Sequence, residues 1–368
     1  MSVRKIARSV FIFIVPMLFV GCGGYKSPST PSTPPPTPTP TAAARFAVAV
    51  NSVSNSISTF AIDPQTGQLT PKDTVPTGGM ESRVIALEPS GHFAYVGNGT
   101  SNDISVFAID ANTGRLTMQG SPVPAGSTPR FIVVGPTGNL LYAVNQQANN
   151  ISGFSINPNT GALTPLAGTV PTDAAPVALT FHPSGQLAYV ANFDSSDITV
   201  YRVDSSGALG LLGAVPIRTN PTAIAMHPSG KFAYVSNLAT NDVAVFSIDV
   251  TSGALAPIAP AVASGDGPTS VTVDAQGRFA YVTNAIAGTV SVFAIDAASG
   301  ALTQTSTVPA GNGTFALTLD ASGRFAYVAN AGQSNVVTFT IDSTTGALTA
   351  AGSPVNAGAG TTSVKLIK

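Results

Sequence analysis

The sequence predicts an all-β fold, a seven-bladed β-propeller of four-stranded antiparallel blades with its ring closed by the C-terminal strand, on three observations. One asparagine returns as Asn51, Asn98, Asn145, Asn192, Asn237, Asn284 and Asn330, in steps of 47, 47, 47, 45, 47 and 46 residues. Around it, short runs rich in Val, Phe, Tyr and Ile alternate with Gly, Pro, Asn and Asp, which is strand and turn chemistry; a helical solenoid would show a 3.6-residue period instead. Finally, the first copy opens directly on a second strand at Phe46, while the chain ends on Thr362-Ser363-Val364-Lys365-Leu366-Ile367, a first strand with no repeat of its own.

Each repeat of about 46 residues divides into four strands. The first is an apolar run such as Phe131-Ile132-Val133-Val134, stopped by Pro136-Thr137-Gly138 and its equivalents Pro89-Ser90-Gly91, Pro183-Ser184-Gly185 and Ala275-Gln276-Gly277. Gly and Pro supply the backbone angles such turns need. The second is the phrase Phe93-Ala94-Tyr95-Val96 and the third runs from Ile104 to Asp110, rich in the β-branched and aromatic residues that suit a pleated surface. Asp110-Ala111-Asn112-Thr113-Gly114 then leads to a weaker fourth strand beginning Leu116-Thr117. Four antiparallel strands in this length make a propeller blade, whereas a β-helix needs much shorter rungs. Pairing the last strand with Phe46 onward completes a seventh blade from both chain ends and removes the edges of an open array.

Ahead of the repeats the chain reads as an export signal and a tether. Arg4, Lys5 and Arg8 precede an apolar stretch from Val10 to Val20, too short to span a bilayer as a stable helix. The only cysteine, Cys22, follows directly, and Phe19-Val20-Gly21-Cys22 resembles a bacterial lipoprotein lipobox with Phe19 where Leu is usual. A signal over residues 1–21 with lipidation at Cys22 is the expectation; an ordinary signal peptide with an incidental cysteine is the competing reading. Residues 22–44 form a tether, almost wholly Ser, Thr and Pro from Tyr25 to Thr41. In polyproline II form it holds the 45–368 propeller on the order of 60 Å from a membrane surface.

Composition narrows the function. Only 9% of residues are charged, with 16 basic against 17 acidic, so nothing draws the chain to nucleic acid or to an anionic membrane in bulk. A single cysteine excludes an intrachain disulfide framework and a cysteine-based zinc site. Neither a G-x-S-x-G elbow, a P-loop nor a G-x-G-x-x-G fingerprint occurs. His92, His182 and His227 fall in or just after turns, where capping is their expected role, and no metal or cofactor is implied. The repeated asparagines are expected to take left-handed backbone and to bond nearby main chain. The aspartates of the D-x-x-T-G turns cap turns, each loop supplying one carboxylate where calcium needs several.

The Tyr-Val-x-Asn strands, the turns His182-Pro183-Ser184-Gly185 and His227-Pro228-Ser229-Gly230, and the Ser-Gly-Ala-Leu and Thr-Gly-Ala-Leu turns resemble the lactonase-type seven-bladed propellers. That family includes 6-phosphogluconolactonases and carboxymuconate-cyclising enzymes and borders the YVTN-repeat surface proteins. The resemblance spans Phe46 to Lys368 and implies a site at the channel mouth. There one column of the repeat reads Arg83, Arg130, Val177, Thr222, Thr269 and Phe315, so two adjacent blades carry an arginine pair able to clamp a carboxylate or phosphate. Arg218, Asp194, Asp173, Glu81 and Asp266 belong to the same loops. Where such relatives often follow the Pro-Arg step with His, this chain has Val84 and Phe131, which removes the obvious general base. Two functions stay open. One is an anchored binding or scaffold module that takes a small anionic ligand, a sugar or a protein partner through Arg83, Arg130, Arg218 and Asp194. The other is a hydrolase of an acidic sugar lactone, with Glu81 or Asp266 activating water. An extracytoplasmic address argues against the phosphorylated cytoplasmic substrate.

Overall fold

A computed structural model describes residues 45–258 and 260–367. The expected signal over residues 1–21, Cys22 and the whole expected tether over residues 22–44 lie outside them. Seven antiparallel sheets follow one another along the chain, each with its first strand at the axis and its fourth outside. The innermost strands are Thr361–Ile367, Ser82–Leu87, Pro129–Val134, Pro176–Phe181, Pro221–Met226, Pro268–Val273 and Thr314–Leu319, for blades 1 to 7. Each packs against the next and the last returns to the first, so the ring is closed. Blade 1 is built from both chain ends as expected, Phe46 pairing with Ile367, Val48 with Lys365 and Asn51 with Thr361. The weak fourth strands are exposed, and in blades 2, 5 and 7 they are broken into two pieces pairing with the same third strand.

The second strands are buried along their whole length because they lie between neighbouring sheets on both faces. Their tyrosines join blade to blade: Tyr95 donates to the Gly161 carbonyl at 3.1 Å, Tyr189 to Gly253 at 3.0 Å, Tyr234 to Gly300 at 3.1 Å and Tyr327 to Gly67 at 3.0 Å. Tyr142 and Tyr281 make the same bond to Gly207 and Gly346. Each accepting glycine closes the turn between the third and fourth strands of the next blade at positive φ, and at Gly300 a Cβ would lie 2.5 Å from the Phe232 ring. Only glycine meets both demands. The junction of blades 1 and 2 lacks this bond, because Val48 stands where six blades carry tyrosine.

The repeated asparagines do not adopt left-handed backbone; that conformation falls four residues later, at Asn55, Asn102, Asn149, Ser196, Asn241, Gly288 and Ser334. The asparagine side chains instead bridge each hairpin from a fully buried position. Asn98 Nδ2 donates to Asp103 at 2.7 Å and to Ser105 at 2.9 Å, and Asn192 to Asp197 and Thr199, both at 2.6 Å. Hairpin closure needs a donor at this strand end more than it needs a special backbone angle.

Candidate active site

The innermost strands surround a central cavity of about 910 Å³, lined from Arg83 at one end to Pro89 near the other. Their second residues form a ring at the mouth: Arg83, Arg130, Val177, Thr222, Thr269, Phe315 and, on the C-terminal strand, Thr362. The neutral members hold the ring together. Thr222 donates to the Pro268 carbonyl at 2.9 Å, Thr269 to Thr314 at 2.9 Å and Thr362 to Arg83 at 2.8 Å, each bond reaching the next blade. Gln146, Phe193 and Leu238, each one residue beyond its repeated asparagine, also line the cavity. Blades 2 and 3 therefore present positive charge to a cavity whose wall in blades 4 and 5 is aromatic and aliphatic.

Arg83 forms an ion pair with Glu81 at the rim, while Glu81 Oε2 accepts from the Thr100 hydroxyl at 2.8 Å. Its Nε is buried without a partner, and burial pushes its pKa down. Arg130 has no ion pair among the described residues; its guanidinium lies 5.6 Å from the Phe315 ring centroid. Burial, and then the neighbouring Arg83 charge, bring its pKa down to about 10. It therefore stays cationic at neutral pH. A guanidinium in that state is under-solvated and binds an anion or a developing oxyanion more strongly than one in open water.

The pair is held by strained backbone. Two residues ahead of the mouth ring every blade turns through the left-handed region, at Glu81, Thr128, Ala175, Asn220, Gly267, Gly313 and Gly360. Three of these seven, preceding Arg83, Arg130 and Val177, are neither glycine nor asparagine, the residues that tolerate this region. The turns are pinned by the preceding blade: Asn55 Oδ1 accepts from the Glu81 amide and Asn102 Oδ1 from Thr128, both at 2.7 Å. Strain of this kind collects where a scaffold over-determines the geometry of a site.

Arg83 and Arg130 are thus brought together, with Glu81 directly beside Arg83. The other candidates lie apart from the cavity lining. Arg218 is exposed and reaches Asp242 at 3.4 Å, Asp266 is exposed and accepts from Asn241 at 3.1 Å, and Asp194 is exposed. Asp173 is exposed as well, its carboxylate reached only weakly by Thr199 at 3.4 Å. His182 and His227 are buried at the turn ends, where Nε2 of each donates to Gly230 and Gly277 carbonyls at 2.8 and 2.9 Å. A carbonyl only accepts, so Nε2 carries the proton and neither ring is a free base. Among the described residues no group of three His, Cys, Asp or Glu side chains is arranged for a metal. Sequence reasoning missed Lys365, which lines the same cavity from the closing strand. It also missed Thr362, because that member of the column sits at the far end of the chain.

The structure is thus a seven-bladed propeller with a cationic, half-apolar axial cavity, and the comparison with protein families narrows the class. The family model described as Lactonase, 7-bladed beta-propeller matches residues 40–128, 123–177 and 167–317, and the chain belongs to that family. The solved structures it resembles include proteins assigned as 6-phosphogluconolactonases from Bacteroides uniformis and Bacteroides fragilis. Both are 20% identical with TM-scores of 0.78; the first match covers 88% of this chain and 99% of that one, the second 90% and 100%. A third is the periplasmic gluconolactonase of Pseudomonas aeruginosa, 18% identical, TM-score 0.78, covering 89% of this chain and 99% of that one. At such identities the likeness shows the fold. No curated protein matches.

Proposed function

We propose that the protein hydrolyses the lactone of an acidic sugar at the mouth of its axial channel. The observation that carries this is the pairing of Arg83 and Arg130 on adjacent blades of one cavity, in a chain of the Lactonase family. Names carried by the structural neighbours favour this reading over a scaffold role. In the reaction Glu81, oriented by Arg83 and Thr100, takes a proton from water as the water oxygen bonds to the lactone carbonyl carbon. Arg130, with no carboxylate partner of its own, holds the oxyanion of the tetrahedral intermediate. Collapse breaks the bond to the ring oxygen, which takes the proton back from Glu81, and the hydroxy acid leaves. Glu81 is preferred to Asp266 because it touches a cavity-lining residue and Asp266 does not. The export and lipid anchoring read from Arg4 to Cys22 belong to the same proposal and put the reaction outside the cytoplasm.

The test is hydrolysis of glucono-δ-lactone and of an acidic sugar lactone by the purified chain, measured above the spontaneous rate beside the Arg83→Ala/Arg130→Ala double variant. Losing positioned cationic stabilisation lowers kcat by about 10²–10³-fold. Equal rates at the spontaneous level in both proteins would sink the hydrolase reading.

A further inference from the structure

The column of the innermost strands three residues below the mouth ring reads Ala86, Val133, Thr180, Ala225, Thr272 and Thr318 in six blades, all small and neutral. In the closing strand it is Lys365. The strand partner departs from the repeat at the same point, since Lys365 pairs with Val48 while the equivalents pair with tyrosine, as Ala86 does with Tyr95. Both members of one strand pair thus abandon the blade-building pattern together, on the wall of the cavity. Lys365 has no ion pair or hydrogen bond among the described residues, and no Asp or Glu lines the cavity with it. Its side chain is exposed to the lumen, and desolvation by the surrounding channel wall pushes the ammonium pKa down. A lysine that served only to hold the ring together would be expected to bond a neighbouring blade, as Thr222, Thr269 and Thr362 do.

Three residues of strand advance about 10 Å along the channel from the ring that holds Arg83 and Arg130. The cavity of about 910 Å³ spans both levels. Resting on the hydrolase reading above, we infer that Lys365 is a second anion anchor and that the substrate class is the lactone of a sugar diacid. Its free carboxylate seats on Lys365 while its lactone carbonyl meets Arg130 at the mouth. The flexible lysine stem covers the difference between the strand spacing and the length of a six-carbon acid. Hydrolysis then leaves an acid at each end, one per cationic level. The chemistry is that of the proposed reaction, with water as the only co-reactant.

The experiment compares two matched probes, D-glucarate and D-gluconate, which differ only in a carboxylate or a hydroxymethyl group at carbon 6, by calorimetry at low ionic strength. Wild type should bind glucarate at least tenfold more tightly than gluconate. In Lys365→Met that preference should vanish with gluconate affinity unchanged, and Lys365→Arg should restore most of it. Retained affinity for gluconate shows that Lys365→Met is folded. Equal affinities in wild type, a preference that survives Lys365→Met, or no detectable glucarate binding at millimolar concentration would each overturn the inference. Because binding is read without turnover, its failure is distinct from failure of the hydrolysis assay, and the Arg83→Ala/Arg130→Ala variant should weaken both probes alike.

Discussion

At the scale of single residues, Arg130 shows how the site and the fold compete. Its charge sits in a poorly solvated wall beside another cation, compensated only by the face of Phe315. Such a ring contact is worth about 0.5–1 kcal/mol, less than the cost of leaving a guanidinium short of water and of a counter-ion. Arg130→Met keeps the bulk of the side chain and removes the charge. It should therefore stabilise the unliganded protein by about 1 kcal/mol, read as a raised denaturant midpoint, while abolishing anion binding. A variant less stable than wild type would mean that the guanidinium is held by contacts the cavity does not show. The arginine column was legible in the sequence, because charge is scarce and two cations in a neutral column stand out. Its electrostatic state was not, since that depends on Phe315, about 185 residues away along the chain and adjacent only once the ring closes.

The elements repeat one local recipe, so most of them could be read directly. The turns, the second strands and the exposed fourth strands each follow from a phrase written seven times, and the strand at Thr361–Ile367 announced itself by lacking a blade. What stayed hidden lies between blades: five of the six tyrosine-to-glycine bonds join residues 64 to 66 positions apart and the sixth, Tyr327 to Gly67, joins residues 260 apart, and nothing local marks Tyr95 as the partner of Gly161. The asparagines misled because their type suits two roles, a left-handed turn or a buried donor, and burial chose the second. Deleting residues 361–368 tests the closing strand. Val364 and Ile367 are each about 1% exposed, and full burial of such side chains contributes about 1.5–3 kcal/mol apiece. The loss of about 3–6 kcal/mol from these two alone is comparable with a whole domain's stability. The truncated chain should be protease-sensitive throughout the repeat region under conditions where the intact chain resists. Unchanged resistance would show that blade 1 stands on three strands.

For the whole molecule, low charge and a repeat-dominated sequence leave few charged side chains outside the turns, and three of them, Arg83, Arg130 and Lys365, meet at one channel. Fold class and the meeting of Arg83 and Arg130 at the channel mouth were therefore accessible from the sequence, whereas the cation deeper in the channel was not: Lys365 is an ordinary residue of a closing strand until the strand is wrapped against Val48. The anchoring proposal applies at this scale too. In a bacterial host, labelled palmitate should be incorporated into the chain and lost in Cys22→Ser, with the variant partitioning away from membranes; labelling that persists would exclude Cys22 as the acylated residue.

The two-ended construction of blade 1 also has a mechanical meaning. Phe46–Asn51 is flanked on one side by Ser56–Ile62 and on the other by Thr361–Ile367, antiparallel to both. A load applied at Arg45 along the strand acts in shear on both ladders at once rather than peeling bonds one at a time. The closing strand that completes the ring therefore also clamps the propeller at the N-terminal end of the repeats, so the force needed to pull the domain open from Arg45 is set by two rows of hydrogen bonds.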